Sequence, residues 1–213
     1  MRKIVPLVVL SFPLLASTVA AAVPAAAQWE IGPIIRGKNY SAGMPLRPEM
    51  TRTGWRFDFP QPRASMGHVH YVTYDPGSLA GKKQITIRYR IEAAPGVRFV
   101  AQEAPDRPAT MSLYFQQRGD NWSAKRQFGS YRWYSPEARM LPLEPGEREV
   151  TIPLNGDWRA VGSFDASEAP EAFARALGNA GRVGVVFGSS AGRGHGVFAT
   201  GPARFELLSF RVS

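Results

Sequence analysis

The sequence predicts an all-β protein, an antiparallel β-sandwich with one short helix near its C-terminal third. Three observations predict it. Short runs alternate apolar with polar residues, Gly, Pro, Asp and Asn separate those runs, and one stretch alone has helical spacing.

The cleanest strand is QITIRYRIE, residues 84–92. Ile85, Ile87, Tyr89 and Ile91 share one face, and Thr86, Arg88, Arg90 and Glu92 share the other. Earlier runs are WRFDF from Trp55 and HVHYVTY from His68, the second followed by the turn chemistry of PGSLAGKK. Later runs cover 97–101, 110–117, 128–134, 148–154, 182–187 and 203–212. The helix is expected over about Glu168 to Leu177. Asp165 and Glu168 have capping-box spacing, Phe173 and Leu177 lie four apart, and Gly178 suits the position past the end. One helix among strands fits a decorated sandwich, since a βαβ fold needs helices alternating with strands.

The N-terminus carries Arg2 and Lys3, an apolar run from Ile4 to Ala16, and small residues leading to Ala25-Ala26-Ala27. That is the pattern of a secretory signal peptide spanning 1–27, with cleavage before Gln28. The expected location is periplasmic or secreted, with membrane contact only through the cleaved segment. Residues 28–52 are rich in Gly and Pro and read as an irregular segment packed on a sandwich domain of 53–213. The chain has no cysteine, so stability rests on packing and thiol catalysis is excluded. The formal charge of +9 falls to +7 without the signal, which favours weak association with anionic envelope polymers. The basic residues are scattered and no nucleic-acid-binding motif is present, so nucleic acid is not an expected partner.

Residues 188–201 hold Gly192, Gly194 and Gly196 in a G-x-G-x-G spacing with a strand, not a helix, after them. A dinucleotide or phosphate loop needs a following helix N-terminus, so the segment reads as a turn between strands, and His195 is either a solvated loop histidine or a contact at the rim of a ligand site. His68 and His70 share a strand face and with His195 could make a three-histidine metal site, but no third ligand stands at a recognised zinc spacing; no metal and no other cofactor is expected. Glu103, Asp106, Asp120, Glu137, Glu144 and Glu147 read as solvated loop acids, not as a glycosidase pair. There is no G-x-S-x-G elbow, and no catalytic residue is assigned.

The most informative stretch is SLYFQQRGDNWSAKRQFGSYRWY, residues 112–134. Leu113 and Phe115 suit the inner face, which turns Tyr114 and Gln116 outward; Arg132 and Tyr134 alternate away from Trp133 in the same way. Trp122, in a polar loop, either packs down or binds something. Tyr114, Gln116, Trp122, Arg132 and Tyr134 therefore form the candidate ligand-binding face, with Arg88 and His195 as further contacts. Aromatic rings stack on sugar C–H faces, and Arg and Gln hydrogen-bond hydroxyls or carboxylates.

The C-terminal segments GRVGVVFGSS, GHGVFATG and ARFELLSFRV together resemble the ending of jelly-roll β-sandwiches of the carbohydrate-binding-module and galactose-binding-like kind. The resemblance is one of architecture over residues 53–213 and implies a jelly-roll-like fold. The leading expectation is an exported, non-catalytic protein binding a poly- or oligosaccharide. The alternatives are a structural or protein-interaction role in the envelope, and a polysaccharide lyase or hydrolase on the same fold. An aromatic open cleft favours glycan binding, a flat apolar patch favours protein contact, and His with Tyr converging in a groove favours a lyase.

Overall fold

The computed structural model describes residues 23–213. The charged start and apolar run of the expected signal peptide lie outside the described residues.

In chain order the strands are β1 (Glu30–Gly32), β2 (Ile34–Ile35), β3 (Lys38–Asn39), β4 (Glu49–Met50), β5 (Trp55–Asp58) and β6 (Tyr71–Tyr74). Then come β7 (Gln84–Ala93), β8 (Phe99–Ala101), β9 (Thr110–Gln117), β10 (Arg132–Tyr134), β11 (Leu141–Pro142) and β12 (Gly146–Pro153). The last are β13 (Arg159–Ala160), β14 (Ala180–Gly188), β15 (Val197–Ala199) and β16 (Ala203–Val212), with the helix α1 (Pro170–Gly178) before β14. The architecture is all-β, built of antiparallel sheets with this one short helix.

A seven-stranded sheet runs β1-β6-β14-β9-β10-β13, with β11 also on β9; a five-stranded sheet runs β12-β7-β16-β5-β4. Their inward residues meet in one core. Ile85, Ile87, Tyr89 and Ile91 of β7 are buried there, as the alternation requires, alongside Leu113 and Phe115 of β9 and Val183 and Val185 of β14. Aromatic edges join the two sheets: Phe57 meets Phe187 at 5.8 Å, and Trp29 meets Trp55 at 4.8 Å.

The helix begins two residues later than its sequence suggests. Asp165 N–H does donate to Glu168 Oε2 at 2.6 Å, but the Asp165 carboxylate is taken by Arg159. That contact closes a turn. Pro170, with no N–H to satisfy, then opens the helix, and Phe173 packs on Phe115 and Trp133.

The 28–52 segment is more regular than its composition indicates. β1 forms an edge of the seven-stranded sheet, β2 and β3 form a ribbon, and β4 pairs β5. The fold also reaches back across the expected cleavage site. Ala26 is buried, Trp29 Nε1 donates to the Pro24 carbonyl at 3.1 Å, and Arg47 bonds the Ala27 carbonyl.

Candidate functional site

The site lies on the outer face of the seven-stranded sheet. Period-two alternation turns Trp133 and Phe115 into the core and their neighbours outward. Register then sets Arg132 opposite Gln116 and Tyr134 opposite Tyr114, and Gln116 opposite Arg182 on β14. The four expected side chains thus share one face. On β6 the same alternation presents Tyr71 and Thr73, which complete it.

This face is not open to water. Tyr71, Tyr114 and Tyr134 form a buried aromatic cluster, with Trp122 packed against it. Gln116 and Arg132 are buried as well. The cause is a roof of loops, above all residues 118–126. Asp120 Oδ1 accepts from the Trp122 backbone N–H at 3.1 Å, and Asn121 Oδ1 accepts from that of Ser123 at 2.9 Å. These Asx turns bend the loop. Trp122, Ala124 and Arg126 all take positive φ, at 66°, 54° and 54°. Such backbone is costly for non-glycine residues and gathers at binding sites.

Under the loop, Asp120 is no solvated acid. Its side chain is fully buried, 2.9 Å from Arg132 Nε. Gln116 Nε2 donates to the same Asp120 oxygen at 2.9 Å. The Arg132 Nε approaches at ion-pair distance without the alignment of a hydrogen bond, and Nη2 has no partner at all. The guanidinium instead lies over the Trp122 ring, 5.0 Å from its centre. Burial works against its charge, but Tyr134 and Asp120 outweigh it, so Arg132 is held protonated above the ordinary arginine value. Burial likewise pushes the Tyr71 and Tyr114 hydroxyls well above the usual phenol range. Tyr71 and Tyr134 share a hydrogen bond of 3.2 Å, and the Tyr114 hydroxyl is unpartnered.

The cleft has two lobes that share Pro33, Tyr71 and Trp122. The narrower, about 400 Å³, is lined by Thr73, Gln116 and Asp120 and by the ion pairs Glu30–Arg182 and Asp75–Arg118. The wider, about 650 Å³, is lined by Arg36, Lys38, His70, Glu103, Arg132 and His195.

His195 lines the wider lobe, with Nδ1 2.5 Å from Glu103 Oε2. The glycines around it admit close packing. A Cβ on Gly194 (φ 76°) would fall 2.4 Å from the Tyr71 hydroxyl, and one on Gly196 would fall 2.8 Å from both His70 Nε2 and Gln102 Oε1. His70 donates from Nδ1 to the Gly194 carbonyl at 2.7 Å, and burial lowers its pKa to about 4. Turning the Gln102 amide so that its NH2 donates gives His70 Nε2 the partner it lacks. His68 meets the Ala64 carbonyl at 3.4 Å. Among the described residues no three His, Asp or Glu side chains gather at metal-binding distance.

Arg88 does not join this site. It points outward from β7, but β7 belongs to the other sheet, and Arg88 pairs there with Glu147. Conversely, Tyr71, Asp120, His70 and Glu103 belong to the cleft although the sequence did not single them out as ligand contacts. In the run HVHYVTY only His68 and His70 are read from the sequence as sharing a face, although the same alternation sets Tyr71 and Thr73 together. What it lacked was the partner strand.

No family model matches the chain, and no curated protein shows significant similarity to it.

Proposed function

We propose that this is an exported, jelly-roll-like β-sandwich protein that binds an oligosaccharide in the cleft over its seven-stranded sheet. One observation carries the reading: the half-buried Trp122 indole stands where the two lobes meet, above a floor of hydrogen-bonding side chains. An indole held this way offers a stacking surface to a sugar ring, and Tyr71, Gln116 and Arg132 below it suit hydroxyls. The positive formal charge adds attraction to anionic envelope polymers, which salt screens.

The test is calorimetric titration of the exported protein against an oligosaccharide panel at low and high salt. Binding that weakens but persists at high salt, and that falls tenfold or more in Trp122→Ala (about 1.4 kcal/mol), is the expected result. No binding across the panel, or equal binding by the variant, overturns it.

A second reading, a lyase or hydrolase, is favoured by the Glu103–His195 contact and by His70 and Tyr71 lining the same lobe. A carboxylate that orients an imidazole can serve proton transfer. A new unsaturated product by ultraviolet absorbance, or new reducing ends, lost in His195→Ala, supports it. Unchanged oligosaccharide after prolonged incubation removes it.

A further inference from the structure

We propose that the wider lobe takes the acidic sugar of a uronate-containing oligosaccharide, with Arg132 as the carboxylate receptor. This rests on the glycan reading of the same cleft.

The two lobes differ in how their charges are matched. In the narrower lobe Glu30 is paired with Arg182 and Asp75 with Arg118, at 3.3 and 2.6 Å. In the wider lobe Glu103 is engaged by His195. Arg36 and Lys38 have no acidic partner among the described residues; Lys38 lies over the Tyr40 ring, 5.2 Å from its centre. Asp120 offsets Arg132, so the wider lobe is left net positive while the narrower is balanced.

Arg132 supplies the specific contact. Its side chain is more than nine-tenths buried, it lines the wider lobe, and its Nη2 donates to nothing. A buried cationic donor without an acceptor is costly, and an anionic oxygen from a ligand removes that cost. Trp122 on one side and Asp120 on the other fix the guanidinium plane, so its free edge is organised before the ligand arrives. A planar carboxylate matches that edge. Because Trp122 also borders the narrower lobe, the uronate carboxylate is directed to Arg132 while the adjoining unit lies among balanced charges and amide groups. Arg36, in the turn of the β2–β3 ribbon at a positive φ of 51°, and Lys38, the first residue of β3, are exposed and line the same lobe, where they attract the acidic chain.

The full-length exported protein is titrated with tetrasaccharides of galacturonate, mannuronate and glucuronate, each beside its carboxyl-reduced counterpart. Reduction keeps every ring and removes every charge. The expected result is one uronate bound at least thirtyfold tighter than its reduced form, with that ratio falling below threefold in Arg132→Gln. The Arg36→Ala/Lys38→Ala double variant, changed only at exposed positions, is expected to lose three- to tenfold in affinity and much of the salt dependence. Where Arg132→Gln does not fold, this double variant decides: an unchanged salt dependence overturns the proposal. Reduced and acidic forms binding equally well overturns the acidic assignment and leaves the glycan reading standing. Silence of both sets in the wild type overturns the two together.

Discussion

On the outer face of the five-stranded sheet, Arg88 and Arg90 flank Glu147 with their side chains about half exposed, and Arg90 also reaches Glu206. On the outer face of the seven-stranded sheet, Arg132 and Asp120 pair with side chains 8% and 0% exposed. Both are arginine–carboxylate pairs, and the alternation that turned the arginines outward is the same. What differs is the covering. β7 and β12 run as a long bare ladder, so water screens each pair and asks little of its geometry. β9 and β10 are roofed by the 118–126 loop, so the donors left over, Nε and Nη2 of Arg132, are shut off from solvent in a residue that lines the cleft. An outward arginine is thus a solubility device on one sheet and a candidate ligand contact on the other.

That contrast can be broken most forcefully at Asp120. Asp120→Asn leaves a buried guanidinium without its counter-charge and should cost about 3 kcal/mol. Urea unfolding measures it, and a loss as small as that of an exposed pair would show that the cleft charges are hydrated after all.

Acid comes next. His70 is held neutral in the fold, with its pKa lowered from 6.5 to about 4 by burial, opposed by the Gly194 hydrogen bond and helped by His68 and His195 nearby. The unfolded chain therefore takes up a proton first. The stability tied to neutral His70 is complete above pH 6.5 and is lost as pH falls from there toward 4, with an upper limit of about 3 kcal/mol. His70→Gln should flatten the stability profile in that window, measured by urea midpoints at successive pH values.

A smaller effect is expected at the sheet edge. A chain beginning at Gln28 loses the Pro24 carbonyl that accepts from Trp29 and the buried Ala26, for about 2 kcal/mol. Comparing its thermal midpoint with that of a chain beginning at Val23 tests this. The smallest effect belongs to Glu147→Gln on the open face, whose unfolding midpoint should stay within the scatter of repeated measurements.

Much of this was legible in the residues. Gln84 to Glu92 alternates so cleanly that its core face could be named, and Tyr114, Gln116, Arg132 and Tyr134 were set on one face by periodicity alone. Alternation tells in from out, however, and not which sheet a strand joins; Arg88 was misplaced for that reason. Asp120 was hidden because a loop acid has no period, and its burial depends on Trp122 and Ala124 adopting left-handed backbone that side chains disfavour. Arg36, Lys38 and Tyr71 reach the cleft only through pairings of β2 with β3 and of β6 with β14, the latter joining strands more than a hundred residues apart.

The placement of β1 has one more consequence. Glu30 at the margin of the sheet, with Pro33 and Ile34 just after it, is also a wall of the cleft, and all three follow the fully buried Trp29. Peeling the first strand away therefore opens the cleft, and whatever fills the cleft must hold that strand down. Occupancy and resistance of the N-terminal segment to exopeptidases become two readings of a single linkage free energy, so the degradation rate of the first residues is itself a binding assay that needs no label.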